Sequence, residues 1–305
     1  NERMRYYPEG ICPELCKRLD TLEDVKAAVK SGEILEGRVI LCDKEHNLHV
    51  DLGGIGAVIP YSEGAVGIIE GTVRDIALIS KVNKQVCFRV KGIHRDELNN
   101  PIAILSRRSV QLDCFKEYVD KLQQGDIIDA RVTHLEPFGA FIDIGAGINS
   151  LIPIDMLSVS RISHPNQRLY EGQEIKVVLK KRESTKLTFS LKELLGTWSE
   201  NVSRFSVGET VTGVVRSIES YGVFIELSPN LAGLAESCEG VKVGQSVSVF
   251  IKSIIPEKMK IKLVVVNSFN EIPEPKPLEY YVNSAHIDRW QYSPFDAKKQ
   301  ISTVF

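Results

Sequence analysis

The sequence predicts an all-β protein built as three tandem five-stranded barrels with short linking helices, and three observations carry that expectation. A run opening with Gly, an acid and apolar residues occurs at Gly32 to Val39 (GEILEGRV), Gly125 to Val132 (GDIIDARV) and Gly208 to Val215 (GETVTGVV). The second and third copies are followed at equal distance by one block, FGAFIDI from Phe138 and YGVFIEL from Tyr221. Each copy continues into further short apolar stretches divided by turn residues, and five such strands favour a small closed barrel. Over 305 residues, that spacing implies three modules of small-domain size in place of one large core.

Along the chain, residues 1–30 read as an extension. Within it Thr21 to Lys30 (TLEDVKAAVK) has a capping Thr, early acids and a closing Lys, the charge order of a short helix. The first barrel is expected over residues 31–109, with strands at Leu48–Leu52, Val86–Val90 and Ile102–Leu105 and turns at Gly53-Gly54 and Asn99-Asn100-Pro101. A linking helix over 110–124 follows, since Val110, Cys114, Phe115, Tyr118 and Leu122 recur at helical spacing from Ser109 onward.

The second barrel, 125–195, is expected from strands at Ile127–Thr133, Ala140–Ile144, Leu151–Pro153, Ile175–Lys180 and Lys186–Leu191, with an insert at Leu157–Arg168. The third, 206–268, repeats this with a shorter insert. Residues 269–305 form a tail that opens with the proline-rich Ile272–Pro277 and continues through the aromatic Tyr280–Phe305.

Composition limits the function. With 43% hydrophobic and 26% charged residues the chain is of soluble globular type. The start, Asn1–Gly10, is charged and lacks an apolar signal core, so the expected location is the cytoplasm. Six cysteines, at 12, 16, 42, 87, 114 and 238, contain no C-x-x-C pair, which disfavours a zinc ribbon or redox dithiol. No cofactor and no metal is expected. His46 and His49 lack a third ligand at useful spacing. Gly53-Gly54-Ile55-Gly56 lies between strands and lacks the Lys and Ser/Thr of a nucleotide loop. Without Gly-x-Ser-x-Gly, His-Glu-x-x-His or an acid pair, no catalytic residue is assigned.

The net charge of −2 does not advertise polyanion binding. Locally, Lys176 to Lys192 and Lys252 to Lys262 are rich in cations. The aromatics Phe138 and Phe141, and Tyr221 and Phe224, stand three apart around a Gly. Strand side chains alternate faces, so each pair shares a face only if the strand bends or bulges. Ala140 and Ile142, or Val223 and Ile225, supply the interior set, which leaves the rings free for the surface as a stacking platform.

This pattern, an aromatic pair around Gly in the second strand and a basic hairpin between the fourth and fifth, resembles the S-one RNA-binding domain of the oligonucleotide-binding (OB) fold class. Three copies in series resemble the bacterial ribosomal protein S-one family, in its short Gram-positive form. The segments that carry the likeness are GDIIDARVTHLEPFGAFIDIGAGINSLIPI, GETVTGVVRSIESYGVFIEL, PIAILSRRSVQ and HIDRWQYSP.

The resemblance implies single-stranded RNA, such as messenger RNA, across the second and third strands, with bases on Phe138 and Phe141 and on Tyr221 and Phe224. Phosphates would then meet Lys186, Arg182, Arg216, Lys258 and Lys260, with His134, Arg161, His164 and Arg168 as further contacts. The family's third-strand His is replaced by Pro153 and Glu236, and its hairpin acid by Arg182 and Pro256, which removes part of the usual polar clamp. In the first barrel the ring positions become His46 and His49, and the resemblance implies a barrel that docks on small-subunit ribosomal proteins. A protein-interaction adaptor and an RNA-decay accessory factor are the competing readings. Arg107 and Arg108 are expected at a solvated strand end, and Tyr280, Tyr281, Trp290, Tyr292 and Phe295 as residues that pack the tail on barrel 3 or meet a partner.

Overall fold

The computed structural model describes residues 6–184 and 186–305. Residues 1–5, which open the charged start read above, lie outside the described residues. Three closed five-stranded barrels follow one another, with a two-stranded sheet at the end. The chain forms two compact units: the chain up to Leu122 together with Asp143–Asn149, and Gln123–Ile142 together with Ser150–Phe305.

The first unit opens on helix α1, Leu22–Ser31, where Thr21 and Asp24 form a reciprocal capping box and Gly32 ends the helix in the left-handed conformation. Barrel 1 consists of β1 (Leu35–Cys42), β2 (Leu48–Asp51), β3 (Gly56–Ile59), β4 (Gln85–Arg95) and β5 (Pro101–Ser106), with a short helix α2 (Ile76–Ile79) between β3 and β4. The strands are ordered β1-β2-β3-β5-β4. Val39, Leu48, Val50, Ile59, Phe88 and Leu105 fill its centre, and Val25 and Ala28 of α1 pack against them.

Helix α3 spans Arg107–Glu117, starting three residues earlier than the expected 110–124, where the Ser106 hydroxyl caps it by accepting from the Ser109 amide, and giving way to a 3-10 turn at Val119–Lys121. Arg107 is consequently no solvated strand end. It is buried, and its Nε and Nη2 donate to the buried carboxylate of Glu9 at 2.6 and 3.0 Å, while Lys81 reaches the same carboxylate at 3.0 Å. Burial alone would raise the Glu9 carboxyl's pKa, and these two cations outweigh it and hold the group well below its usual range. Arg108 pairs with Glu70. In the same unit Asp143 accepts from the amides of Glu9, Gly145 and Gly147.

Barrel 2 has β6 (Ile127–Glu136), β7 (Gly139–Asp143), β8 (Asn149–Pro153), β9 (Glu174–Glu183) and β10 (Lys186–Ser190), which lie in the second unit except for Asp143 at the end of β7 and Asn149 at the start of β8. Ala130, Val132, Ala140, Ile142, Ile152, Val177, Leu179 and Phe189 are all buried, at alternating positions of their strands. A five-residue helix α4, Trp198–Val202, leads to barrel 3: β11 (Thr210–Glu219), β12 (Gly222–Ser228), β13 (Leu231–Ala235), β14 (Ser246–Ile255) and β15 (Lys260–Phe269). The repeat seen in sequence has a packing reason. A Cβ at Gly37 of β1 would lie 2.6 Å from Val50, and one at Gly213 of β11 would lie 2.5 Å from Ile225; the equivalent Ala130 is fully buried.

The tail folds back within this unit as β16 (Arg289–Gln291) paired with β17 (Ser302–Val304). Trp290 and Tyr292 join the core of barrel 3, and the Tyr292 hydroxyl donates to the Asn230 carbonyl at 2.6 Å. The Tyr280 hydroxyl accepts from the Lys176 amide of β9, whereas Phe295 is fully exposed. No helix among the described residues is long and apolar enough to cross a membrane.

Candidate nucleic-acid interface

Each expected ring pair comes together. Phe138 and Phe141 have centroids 5.9 Å apart and planes at 88°; Tyr221 and Phe224 are 6.2 Å apart at 89°. Phe138 and Tyr221 are 56% and 66% exposed, and their partners are half-buried beside them. Both leading rings sit in the turn before the strand, not on a bent strand as alternation alone required. The chain enters β7 and β12 at Gly139 and Gly222, and the second ring follows two residues later on the outward face. The irregularity lies in the partner strand, where the β11 register shifts between Val215 and Ser217, opposite Phe224.

Gly is required at the entry. A Cβ on Gly139 would fall 2.4 Å from the Ile152 carbonyl oxygen, and one on Gly222 would fall 2.4 Å from that of Ala235. The third strand of each barrel therefore runs directly beneath the ring-bearing turn, and the Ile154 amide donates to the Phe138 carbonyl.

The cations divide into two groups. Lys186, Lys258, Lys260 and Arg161 are exposed, and Arg182 is half-buried on the β9 side of the hairpin. His164 is half-buried and accepts the Asn166 amide on Nδ1. His134 is bracketed by Glu136 at 2.8 Å and Glu171 at 2.9 Å, and those hydrogen bonds raise its pKa. The cationic run in barrel 2 is partly neutralised, with Lys176 on Asp129, Lys180 on Glu193 and Lys181 on Glu183.

Arg168 and Arg216 are corrections. Both are packed against Glu226: Arg168 donates to its two oxygens at 2.8 Å each and Arg216 at 2.8 and 3.1 Å. Burial pushes the Glu226 pKa up, and the two guanidinium groups pull it down to about 2. A guanidinium already committed to a buried carboxylate is not offered to an external phosphate. Sequence spacing contained no signal for this, since Arg168 and Glu226 belong to different barrels.

In barrel 1 the corresponding positions differ in kind. His46 lies 3.5 Å from Asp75, and the His49 Nε2 is 3.1 Å from Asp43. Asn47 stands where the other barrels have Gly, and its side-chain oxygen accepts the Tyr61 amide, replacing the backbone carbonyl that Phe138 supplies. Among the described residues no three His, Cys, Asp or Glu side chains group as a metal site would need. Gly53-Gly54 packs on the extension, where Asp20 accepts the Gly54 amide.

The profile of the S1 RNA binding domain matches residues 121–192, the region of barrel 2. Over the whole chain the similarity extends to curated ribosomal proteins. A Bacillus subtilis small ribosomal subunit protein bS1 homolog is 28% identical over 311 residues, covering 96% of this chain and 72% of that protein. The Staphylococcus aureus (strain MRSA252) small ribosomal subunit protein bS1 is 30% identical over 296 residues, covering 90% of this chain and 70% of that protein. For the strain COL protein the chain spans 63% of the relative's length. A Streptococcus pneumoniae multidomain protein with nucleic acid binding domains aligns at TM-score 0.25 and 13% identity, over 77% of this chain and 74% of that one, too distant to carry weight. With barrels, ring pairs and whole-chain similarity in agreement, the chain belongs to the small ribosomal subunit protein bS1 family.

Proposed function

We propose that this chain binds single-stranded RNA, messenger RNA in translation, and does so in the cytoplasm without catalysing a reaction. The observation that carries the reading is the pair of exposed, edge-to-face ring sets held over glycine-tight turns in barrels 2 and 3. A base laid on an aromatic face gains about 1–3 kcal/mol whatever its identity, which suits a protein that must accept varied sequence. Phe138 and Phe141, and Tyr221 and Phe224, take bases; Lys186, Lys258, Lys260, Arg182 and Arg161 take phosphates, with His164 at the margin. His134 contributes less, because two carboxylates already share its charge.

Barrel 1 takes a different role in this reading. Its ring positions are imidazoles tied to acids, and its surface carries exposed Ile40, Leu41, Ile69, Ile76 and Ile79. An apolar set of that kind favours docking on protein, here a small-subunit ribosomal protein. Fluorescence anisotropy of the full chain with a labelled uridine tract tests the RNA assignment. Binding that weakens steeply with salt and collapses in the Phe138→Ala, Tyr221→Ala double variant supports it. Affinity unchanged in that variant rejects it.

A further inference from the structure

The segment Arg168 to Glu171 of barrel 2 is held at both ends, by Arg168 to β12, which carries Phe224, and by Glu171 to β6, which leads into the Phe138 turn. Arg168 grips Glu226, which lies two residues beyond Phe224 on the same outward face of β12, between the inward-facing Ile225 and Leu227. Glu171 holds Nδ1 of His134, whose other nitrogen is held by Glu136, two residues before Phe138. The rest of the insert is docked as firmly. The Val159 amide donates to the Asn230 side chain and the Ser160 amide to the Pro229 carbonyl, both at the β12–β13 turn. The Asn230 amide in turn donates to the carbonyls of Lys192 and Gly196.

Between these two attachments stands Tyr170. Its backbone amide is fixed by the Gln173 side chain, yet its ring is 60% exposed and takes no part in the core. Arg161, next to the docked Ser160, is exposed. A ring held outward on a segment braced at both ends keeps its face open to solvent at a fixed position.

We propose that Tyr170 is a bridging stacking residue, and Arg161 its accompanying phosphate contact, for one RNA strand that runs from the barrel 2 rings to the barrel 3 rings. The inference rests on the RNA-binding reading above and adds to it a ligand of defined extent, long enough to occupy both platforms at once. Because the Arg168–Glu226–Arg216 cluster braces the bridge, the second platform meets an already tethered strand at high effective concentration. Its affinity then rises abruptly with RNA length.

The experiment uses the full chain and two uridine tracts, one of about 5 nucleotides, within a single platform, and one of about 25, long enough for both. The unmodified chain should bind the long tract at least ~10-fold tighter than the short one after correction for the number of registers. Tyr170→Ala, on the surface, should remove about 3-fold or more of that preference while leaving the short tract unchanged, and Arg161→Ala should weaken the long tract more than the short one. Arg168→Met should act in the same direction, and Glu226 retains Arg216, so no buried carboxylate is orphaned. If both tracts bind but the length preference is the same in all three variants, the bridge is overturned and the RNA reading stands. If neither tract binds the unmodified chain, the RNA reading itself has failed.

Discussion

Barrel 1 and barrels 2 and 3 share a strand order and a packing scheme, yet they differ at three positions of one hairpin. Where barrels 2 and 3 read aromatic, Gly, and aromatic two residues after it, barrel 1 reads His46, Asn47, His49. The outcome is a change of chemistry without a change of fold. The glycine lets the neighbouring strand's carbonyl pass within reach of the turn, whereas Asn47 fills that place and uses its own side-chain oxygen as the acceptor. The rings that a base could cover become imidazoles already engaged with Asp75 and Asp43. A base stacking there would have to compete with those contacts and would cover less apolar area. On the proposed reading, one barrel framework carries a stacking face or a polar one according to these three side chains.

The largest expected effect separates the two kinds of barrel directly. Losing one ring from each platform, in Phe138→Ala with Tyr221→Ala, should weaken RNA binding by at least ~30-fold, since two stacking contacts of about 1 kcal/mol or more are removed. His46→Ala with His49→Ala should change it by less than about 2-fold. Equal losses in anisotropy titrations of the two double variants would erase the distinction drawn here.

Next comes the glycine. Gly139→Ala should destabilise the second unit by about 1–3 kcal/mol, because the new methyl meets a backbone oxygen that can retreat only by moving β8. Denaturant midpoints of the variant and parent chains measure this; a shift within error would show the turn to be looser than its geometry implies.

The clamp between barrels 2 and 3 gives a pH signature of its own, alongside that of Glu9 with Arg107 and Lys81 in the first unit. The folded pKa of Glu226 is about 2, below the ordinary carboxylate value of 4.5. Its contribution is thus present above that ordinary value and is lost as pH falls from there toward about 2. Arg168→Met should lower stability by about 1–3 kcal/mol at neutral pH, with a smaller penalty at acid pH where the carboxyl is protonated in the unfolded chain. Thermal melts across that pH range should converge; a pH-independent difference would assign the loss to packing alone.

The smallest effect sharpens the comparison by transplant. His46→Phe, Asn47→Gly and His49→Phe together should give barrel 1 a stacking face and improve affinity for a long uridine tract by about 5-fold. No gain would mean that features beyond the hairpin set the difference.

Much of this is legible in the sequence alone. The repeated Gly-acid-apolar openings marked the first strands, within which Gly37 and Gly213 must stay small beside Val50 and Ile225, and the FGAF and YGVF blocks marked the ring pairs because their apolar neighbours alone suffice for the interior. What escaped was set by contacts between distant segments. Arg107 looks solvated in sequence, but Glu9 lies 98 residues away and meets it in the core. Arg168 and Arg216 look like phosphate ligands until Glu226 draws both inward. Tyr170 carries no periodic or motif signal at all, and only its exposed place between two anchored neighbours marks it.

The tail has a consequence for how the protein is made. Trp290 and Tyr292 belong to the interior of barrel 3, and Thr303 donates to the buried Glu193 beside barrel 2. A nascent chain halted at the proline-rich segment would therefore leave an open seam on barrel 3 and an unshielded carboxylate next to its neighbour. Barrel 3 and the surroundings of Glu193 would reach their finished form only after synthesis had passed Thr303, well after the last barrel strand was laid down.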